Sequence, residues 1–149
     1  MRVTDMQSLY RYGLLSLLAI QLVSCKMEEI AQVESMKQIQ GNWRITHATR
    51  NGTDITEKFD FSAFRITFGE DGRYHLQHPL PFIVAEDGVF SLDDPQYPYH
   101  IKFVETGNSR EAISSFEYPI VAGARNLYLT FSPGCGTNTY IYTLIETND

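Results

Sequence analysis

The sequence predicts an all-β domain, an antiparallel up-and-down barrel of about eight strands, with a two-sheet sandwich as the alternative. Three observations predict it. Short runs such as Phe64-Arg65-Ile66-Thr67-Phe68 and Leu127-Tyr128-Leu129-Thr130-Phe131 alternate apolar and polar residues, so each turns one face inward. Turn formers such as Asn51-Gly52, Asp71-Gly72 and Asp93-Asp94-Pro95 punctuate those runs at close intervals, as in a meander. Helical patterns do not alternate with the strands, which excludes parallel α/β folds. An antiparallel meander of this length removes its exposed edges by closing into a barrel.

The chain opens with a segment that does not belong to that fold. Gly13 to Val23 is apolar, follows Arg2 and Arg11, and ends in Leu22-Val23-Ser24-Cys25. Eleven residues are too few to cross a hydrocarbon layer, which takes about 20. The position behind a basic start is that of a secretory signal, and Met6 is an alternative start. The last four residues resemble the lipobox of bacterial lipoproteins. That resemblance implies diacylation of the Cys25 thiol, cleavage before it, and a lipid-held protein of the bacterial outer membrane, facing the periplasm or the surface. Residues 1–24 are then signal, 25–38 a tether or short helix, and 39–149 the barrel.

Removing residues 1–24 leaves ten basic against seventeen acidic side chains. This balance disfavours nucleic acid and anionic headgroups, both of which need clustered Lys and Arg. With the Cys25 thiol taken up by the lipid, Cys135 is the one free cysteine, so the core must hold without an intrachain disulfide. Trp43, nine Phe and seven Tyr remain, a composition that favours strands.

Along the mature chain, Ile30, Val33, Met36 and Ile39 form a narrow apolar stripe in Lys26–Gln40, the one stretch with a helical period. Trp43, Ile45 and His47 alternate with Arg44, Thr46 and Ala48 and so predict a first strand. Asn51-Gly52 predicts a type I′ turn, and Thr53 or Asp54 caps a short helical turn holding Phe59 and Phe61. Phe64–Phe68 and Tyr74–Leu76 read as a hairpin around Glu70-Asp71-Gly72. Pro79 and Pro81 interrupt the ladder, Phe82-Ile83-Val84 resumes a short strand, and Glu86-Asp87-Gly88 reads as a second, similar turn into Val89–Leu92. Tyr97, Tyr99, Ile101 and Phe103 are expected on one face, followed by a loop at Thr106–Arg110. Strands around Ile113–Tyr118, Leu127–Phe131 and Thr137–Ile145 complete the set, with a turn at Gly123–Asn126. The last strand, apolar on both faces, is expected to close against the first.

Ile39-x-Gly41-x-Trp43 is similar to the glycine–tryptophan signature of lipocalins. That likeness implies a tryptophan closing one barrel end beside an arginine, for which Arg125 is available. The wider pattern takes in Asn51-Gly52-Thr53-Asp54-Ile55-Thr56, Ser91-Leu92-Asp93-Asp94-Pro95 and Leu129-Thr130-Phe131-Ser132-Pro133-Gly134-Cys135. It resembles uncharacterised lipocalin-like lipoproteins of Bacteroidota, and so implies a small barrel on a lipid anchor with no assigned activity.

Candidate sites divide by chemistry. Cys135 in Pro-Gly-Cys-Gly has no base placed beside it and reads as a turn filler rather than a nucleophile. His75 and His78 stand three apart, on opposite faces of a strand, and Asp93-Asp94 lacks the alternation of a calcium loop. No catalytic residue, metal or cofactor is therefore expected. The aromatic residues Trp43, Tyr97, Tyr99, Phe103, Phe131, Tyr140 and Tyr142 are the candidates for lining an interior that binds a small apolar or amphipathic ligand. The alternative is a filled barrel whose loops, Pro79–Pro81, Asp93–Pro98 and Thr106–Arg110, bind an envelope protein or glycan. A barrel of this strand number is either filled by side chains or holds one small ligand.

Overall fold

The computed structural model describes residues 35–79, 82–134 and 136–148. The predicted signal, Cys25, Pro81 and Cys135 lie outside them. The strands are β1 (Gly41–Arg50), β2 (Thr53–Asp54), β3 (Arg65–Phe68), β4 (Arg73–Gln77), β5 (Gly88–Leu92), β6 (His100–Glu105), β7 (Glu111–Glu117), β8 (Ile120–Val121), β9 (Ala124–Phe131) and β10 (Tyr140–Thr147). Order β10-β1-β3-β4-β5-β6-β7-β9 returns to β10 through a β9–β10 ladder, so eight antiparallel strands close a barrel. The predicted closure of first strand on last is present, from Asn42↔Thr147 to Arg50↔Tyr140. Strands β2 and β8 are short flaps on β1 and β9.

Strand direction alternates around the barrel, which sorts the connections onto two ends. One end carries the β3–β4 and β5–β6 turns, the β7–β9 link and the entering chain at residues 35–40. The other carries the β1–β3 connection, the β4–β5 connection, the β6–β7 turn and the β9–β10 strap. At the entry end, Lys37 N donates to Pro95 O at 2.7 Å.

Several expectations need correction. Of the expected tether or short helix, residues 25–34 lie outside the described residues, and residues 35–40 are not helical; Ile39 is buried there, and its carbonyl accepts the Trp43 indole N–H at 2.8 Å. In β1 the alternation breaks between Ile45 and His47, where Thr46 is the extra residue of a bulge. A bulge shifts the pleat by one, so Ala48 is buried and His47 faces outward. Phe82, Ile83 and Val84 form no strand; all three are buried in succession. A strand would have turned Ile83 the opposite way from its neighbours. The predicted Gly123–Asn126 turn is centred two residues earlier, at Ala122 and Gly123 (φ 51° and 83°).

The two Glu-Asp-Gly segments differ in structure. Gly72 adopts φ 76° in the β3–β4 turn, a conformation that favours glycine. Gly88 lies within β5, paired with Tyr74 and Glu105. The β4–β5 ladder covers only Arg73↔Val89 and Tyr74↔Gly88. Beyond it, Asp87 Oδ1 accepts from Leu76 N at 2.8 Å, and Phe82–Val84 are buried off the ladder.

Candidate functional site

The interior is packed by side chains from every wall. Trp43, Phe64, Ile66, Phe68, Tyr74, Ile101, Phe103, Leu127, Leu129, Tyr142 and Leu144 are buried. Phe68 and Tyr74 meet Phe103 with ring centroids 6.3 and 5.3 Å apart. At the end opposite the entering chain, Phe82 packs on Phe64 and on Tyr142, each at 5.0 Å, and Phe61 meets Tyr142 edge-on at 6.4 Å. The chain's own Phe82–Val84 thus occupies space that a ligand of the interior would need.

Of the predicted lining residues, Trp43, Phe103 and Tyr142 are buried within this packing, and burial pushes the Tyr142 phenol up to about 12. Tyr97 and Tyr99 are misplaced by the prediction: they are 51 % and 73 % exposed. Asp93 and Asp94 explain why. Asp93 Oδ1 accepts from the backbone N–H of Asp94, Tyr99 and His100, all at 3.0 Å. Asp94 Oδ1 accepts from Gln96 and Tyr97 at 2.7 and 3.0 Å. These bonds hold the connection outside the barrel, so the inward alternation begins only at Ile101. The backbone N–H of His100, chief among these donors, helps hold Asp93 down at about 2. The acidic pair is a turn device, as expected from its composition.

Phe131 and Tyr140 stand between these extremes, half-buried at the rim. They face each other across β9–β10 at 5.5 Å and 28°, and Tyr142 lies parallel to Tyr140 at 6.3 Å and 10°. The Arg50 guanidinium sits over Tyr140, 5.6 Å from the ring centre. Asn138 Oδ1 accepts from Arg50 Nη2 at 2.8 Å and Nε at 3.3 Å, and from Asn51 Nδ2 at 3.4 Å. Asn51 Oδ1 in turn accepts from Thr139 N at 2.8 Å. The β1–β2 turn and the β9–β10 strap are therefore tied together behind the guanidinium. Arg50 and Asn138 were missed in the sequence because the bulge reverses the face that simple alternation assigns to Arg50.

A second polar cluster lies in the wall. Glu105 is 1 % exposed. Its Oε1 accepts from Ala85 N at 2.8 Å and faces Arg110 Nη1 at 3.6 Å. Burial raises this carboxyl, but the Ala85 N–H, the Asn108 side chain and Arg110 together outweigh it and hold it below the ordinary value. Arg110 Nη2 also donates to Ile83 O at 3.3 Å, so this pair clamps the inward segment. Among the described residues, Glu105 Oε2 and the buried Tyr74 hydroxyl have no hydrogen-bond partner.

The remaining candidates do not assemble. His75 Nδ1 lies 3.0 Å from Asp87, His100 Nδ1 3.0 Å from Asp93, and His47 Nε2 3.4 Å from Asp54. These are separate exposed pairs, and no group of three metal-binding side chains forms among the described residues. Arg125 reaches Trp43 only through Tyr118: its guanidinium lies 5.1 Å over the Tyr118 ring, which meets Trp43 at 6.0 Å.

The model of a family of domains of unknown function, DUF5004, matches residues 23–145. The chain belongs to the DUF5004 family. No curated protein and no solved structure matches it. For this DUF5004 chain, a closed antiparallel barrel with a partly open aromatic rim is thus the structural basis for any functional reading.

Proposed function

We propose that this DUF5004 chain is a lipid-anchored, non-catalytic binding module of the bacterial envelope. Its barrel is filled, and a small amphipathic ligand binds at the Phe131–Tyr140 rim. The carrying observation is the continuous aromatic run from buried Tyr142 to half-buried Tyr140 and Phe131, beside an interior already occupied by Phe82–Val84. Half-buried aromatic rings at a rim present an apolar face, and the Tyr140 hydroxyl adds a polar group, a pairing suited to a sugar or a headgroup. The anchor rests on Leu22-Val23-Ser24-Cys25 after an apolar run, and the lipocalin-like kinship on Gly41-x-Trp43 and the closed topology.

Cell fractionation tests the anchor: Cys25→Ala is expected to leave the membrane fraction, and unchanged membrane association rejects lipidation. Native against denaturing mass spectrometry of protein taken from its host envelope tests the ligand. Extra mass that leaves on denaturation, and that Tyr140→Ala lacks, supports the rim; a mass retained by Tyr140→Ala places the ligand elsewhere. A second reading has its own observation. Tyr97 and Tyr99 stand exposed on a loop that Asp93 and Asp94 hold rigid, and exposed tyrosines are common anchors of protein interfaces. Loss of a co-purifying envelope protein in Tyr97→Ala/Tyr99→Ala, with the rim variant unaffected, would favour that interaction module.

A further inference from the structure

We propose that the rim ligand is a ring-bearing carboxylate, read by Arg50. This rests on the rim as binding site and adds the chemical class of what binds there.

Arg50 is exposed, yet its geometry is fixed. Register places it opposite Tyr140 on the inward face of β1, and it bears on the Tyr140 ring. Asn138 Oδ1 takes its Nε and Nη2 protons, and that acceptor is itself held by Asn51 Nδ2. An amide oxygen orients a guanidinium without neutralising it. Among the described residues no carboxylate pairs with Arg50, whereas Arg73 faces Asp71, Arg110 faces Glu105 and Lys102 faces Glu111. With the Nε/Nη2 edge on Asn138, Arg50 keeps the parallel N–H pair of its Nη1/Nη2 edge for an incoming acceptor.

A planar, pre-oriented guanidinium favours carboxylates because its parallel N–H groups match the two oxygens. The half-buried rings of Phe131 and Tyr140 beside it supply an apolar surface for a ring face. A ligand with a ring and one carboxylate engages both at once. The chain is otherwise acidic, with 12 basic against 18 acidic residues, which disfavours polyanions and selects a single charge placed at this point. Two sources share the chemistry: a terminal uronic acid of a glycan, and an aromatic acid.

The test is ligand-detected NMR titration of the detergent-solubilised full chain with four probes: methyl glucuronide, its neutral counterpart methyl glucoside, phenylacetate and the neutral phenylacetamide. The expected result is saturable binding of one acid, about tenfold tighter than its neutral counterpart, the size of one charged hydrogen bond. Which acid binds names the source. Arg50→Gln is expected to bring the acid down to the affinity of its neutral counterpart, Arg50→Lys to retain part of the preference, and Tyr140→Ala to abolish binding of both. Emission from Trp43, at the other end of the barrel, verifies that each variant is folded. Acid and neutral probes binding alike, with Arg50→Gln without effect and Tyr140→Ala still abolishing binding, would overturn the carboxylate inference and leave the rim standing. No binding by any probe to folded protein would overturn both.

Discussion

The Tyr74 hydroxyl lies 2.8 Å from the position that a Cβ on Gly88 would take, and the Val104 carbonyl crowds the same point. Gly88 sits between Tyr74 on β4 and Glu105 on β6 in the ladder. Its missing side chain is what lets the tyrosine ring cross the strand and stay buried. The glycine is required here by space, and at Gly72 by backbone conformation.

The two glycines should therefore respond differently to alanine. Gly88→Ala forces backbone movement and is expected to cost about 3 kcal/mol or more, the upper range for overpacking. Gly72→Ala meets nothing nearer than Phe90 O at 3.7 Å and should cost about 1–2 kcal/mol, the cost of a left-handed non-glycine residue. Urea denaturation of both variants checks the order; equal losses would contradict the crowding at Gly88.

Phe82 tests the filled interior. Phe82→Ala removes a buried ring between Phe64 and Tyr142 and should cost about 3–5 kcal/mol. If the segment were a surface loop, the loss would stay within about 0.5 kcal/mol. Thermal unfolding followed by circular dichroism distinguishes the two.

The protein has one tryptophan, so its fluorescence reports the entry end alone. Trp43 is fully buried, and the native emission should be blue-shifted and move to the red on unfolding. Arg125→Ala removes a cation over Tyr118 and a 3.0 Å bond to the Tyr118 carbonyl. It should cost about 1 kcal/mol and leave the emission maximum unchanged, because Tyr118 still covers the indole. A red shift in the folded variant would mean that Arg125 shields Trp43 directly.

Acid stability should follow the capping aspartates. Asp93 is held at about 2, against an ordinary 3.8, by the His100 N–H and its companions. Its folded value is depressed, so its contribution is present above the ordinary carboxylate range and is lost as the pH falls from about 4 to 2. Asp54, held down chiefly by Thr56, and Asp87, chiefly by the Leu76 N–H, act in the same direction. Melting temperatures measured from pH 5 to 2 should fall less steeply for Asp93→Asn than for the unaltered chain. Parallel curves would show that Asp93 does not contribute.

Local pattern carried much of this protein. Period-two alternation in Phe64–Phe68 and Leu127–Phe131, the Asn51-Gly52 turn and the paired aspartates before Pro95 are short-range devices. Their consequences follow from steric and hydrogen-bond rules acting over a few residues, so strand number, antiparallel order and closure were legible. What tertiary structure alone decided is where those rules are broken by partners distant in sequence. The Thr46 bulge turns Arg50 inward because β10 fixes the register on both sides of it. Phe82–Val84 leaves the ladder because Glu105 and Arg110, 20 and 27 residues later, hold Ala85 and Ile83. Tyr97 and Tyr99 stay outside because Asp93 binds their connection before the inward alternation begins. Each outcome depends on a hydrogen bond or a packing contact across the barrel wall, and no spacing within a single strand encodes it.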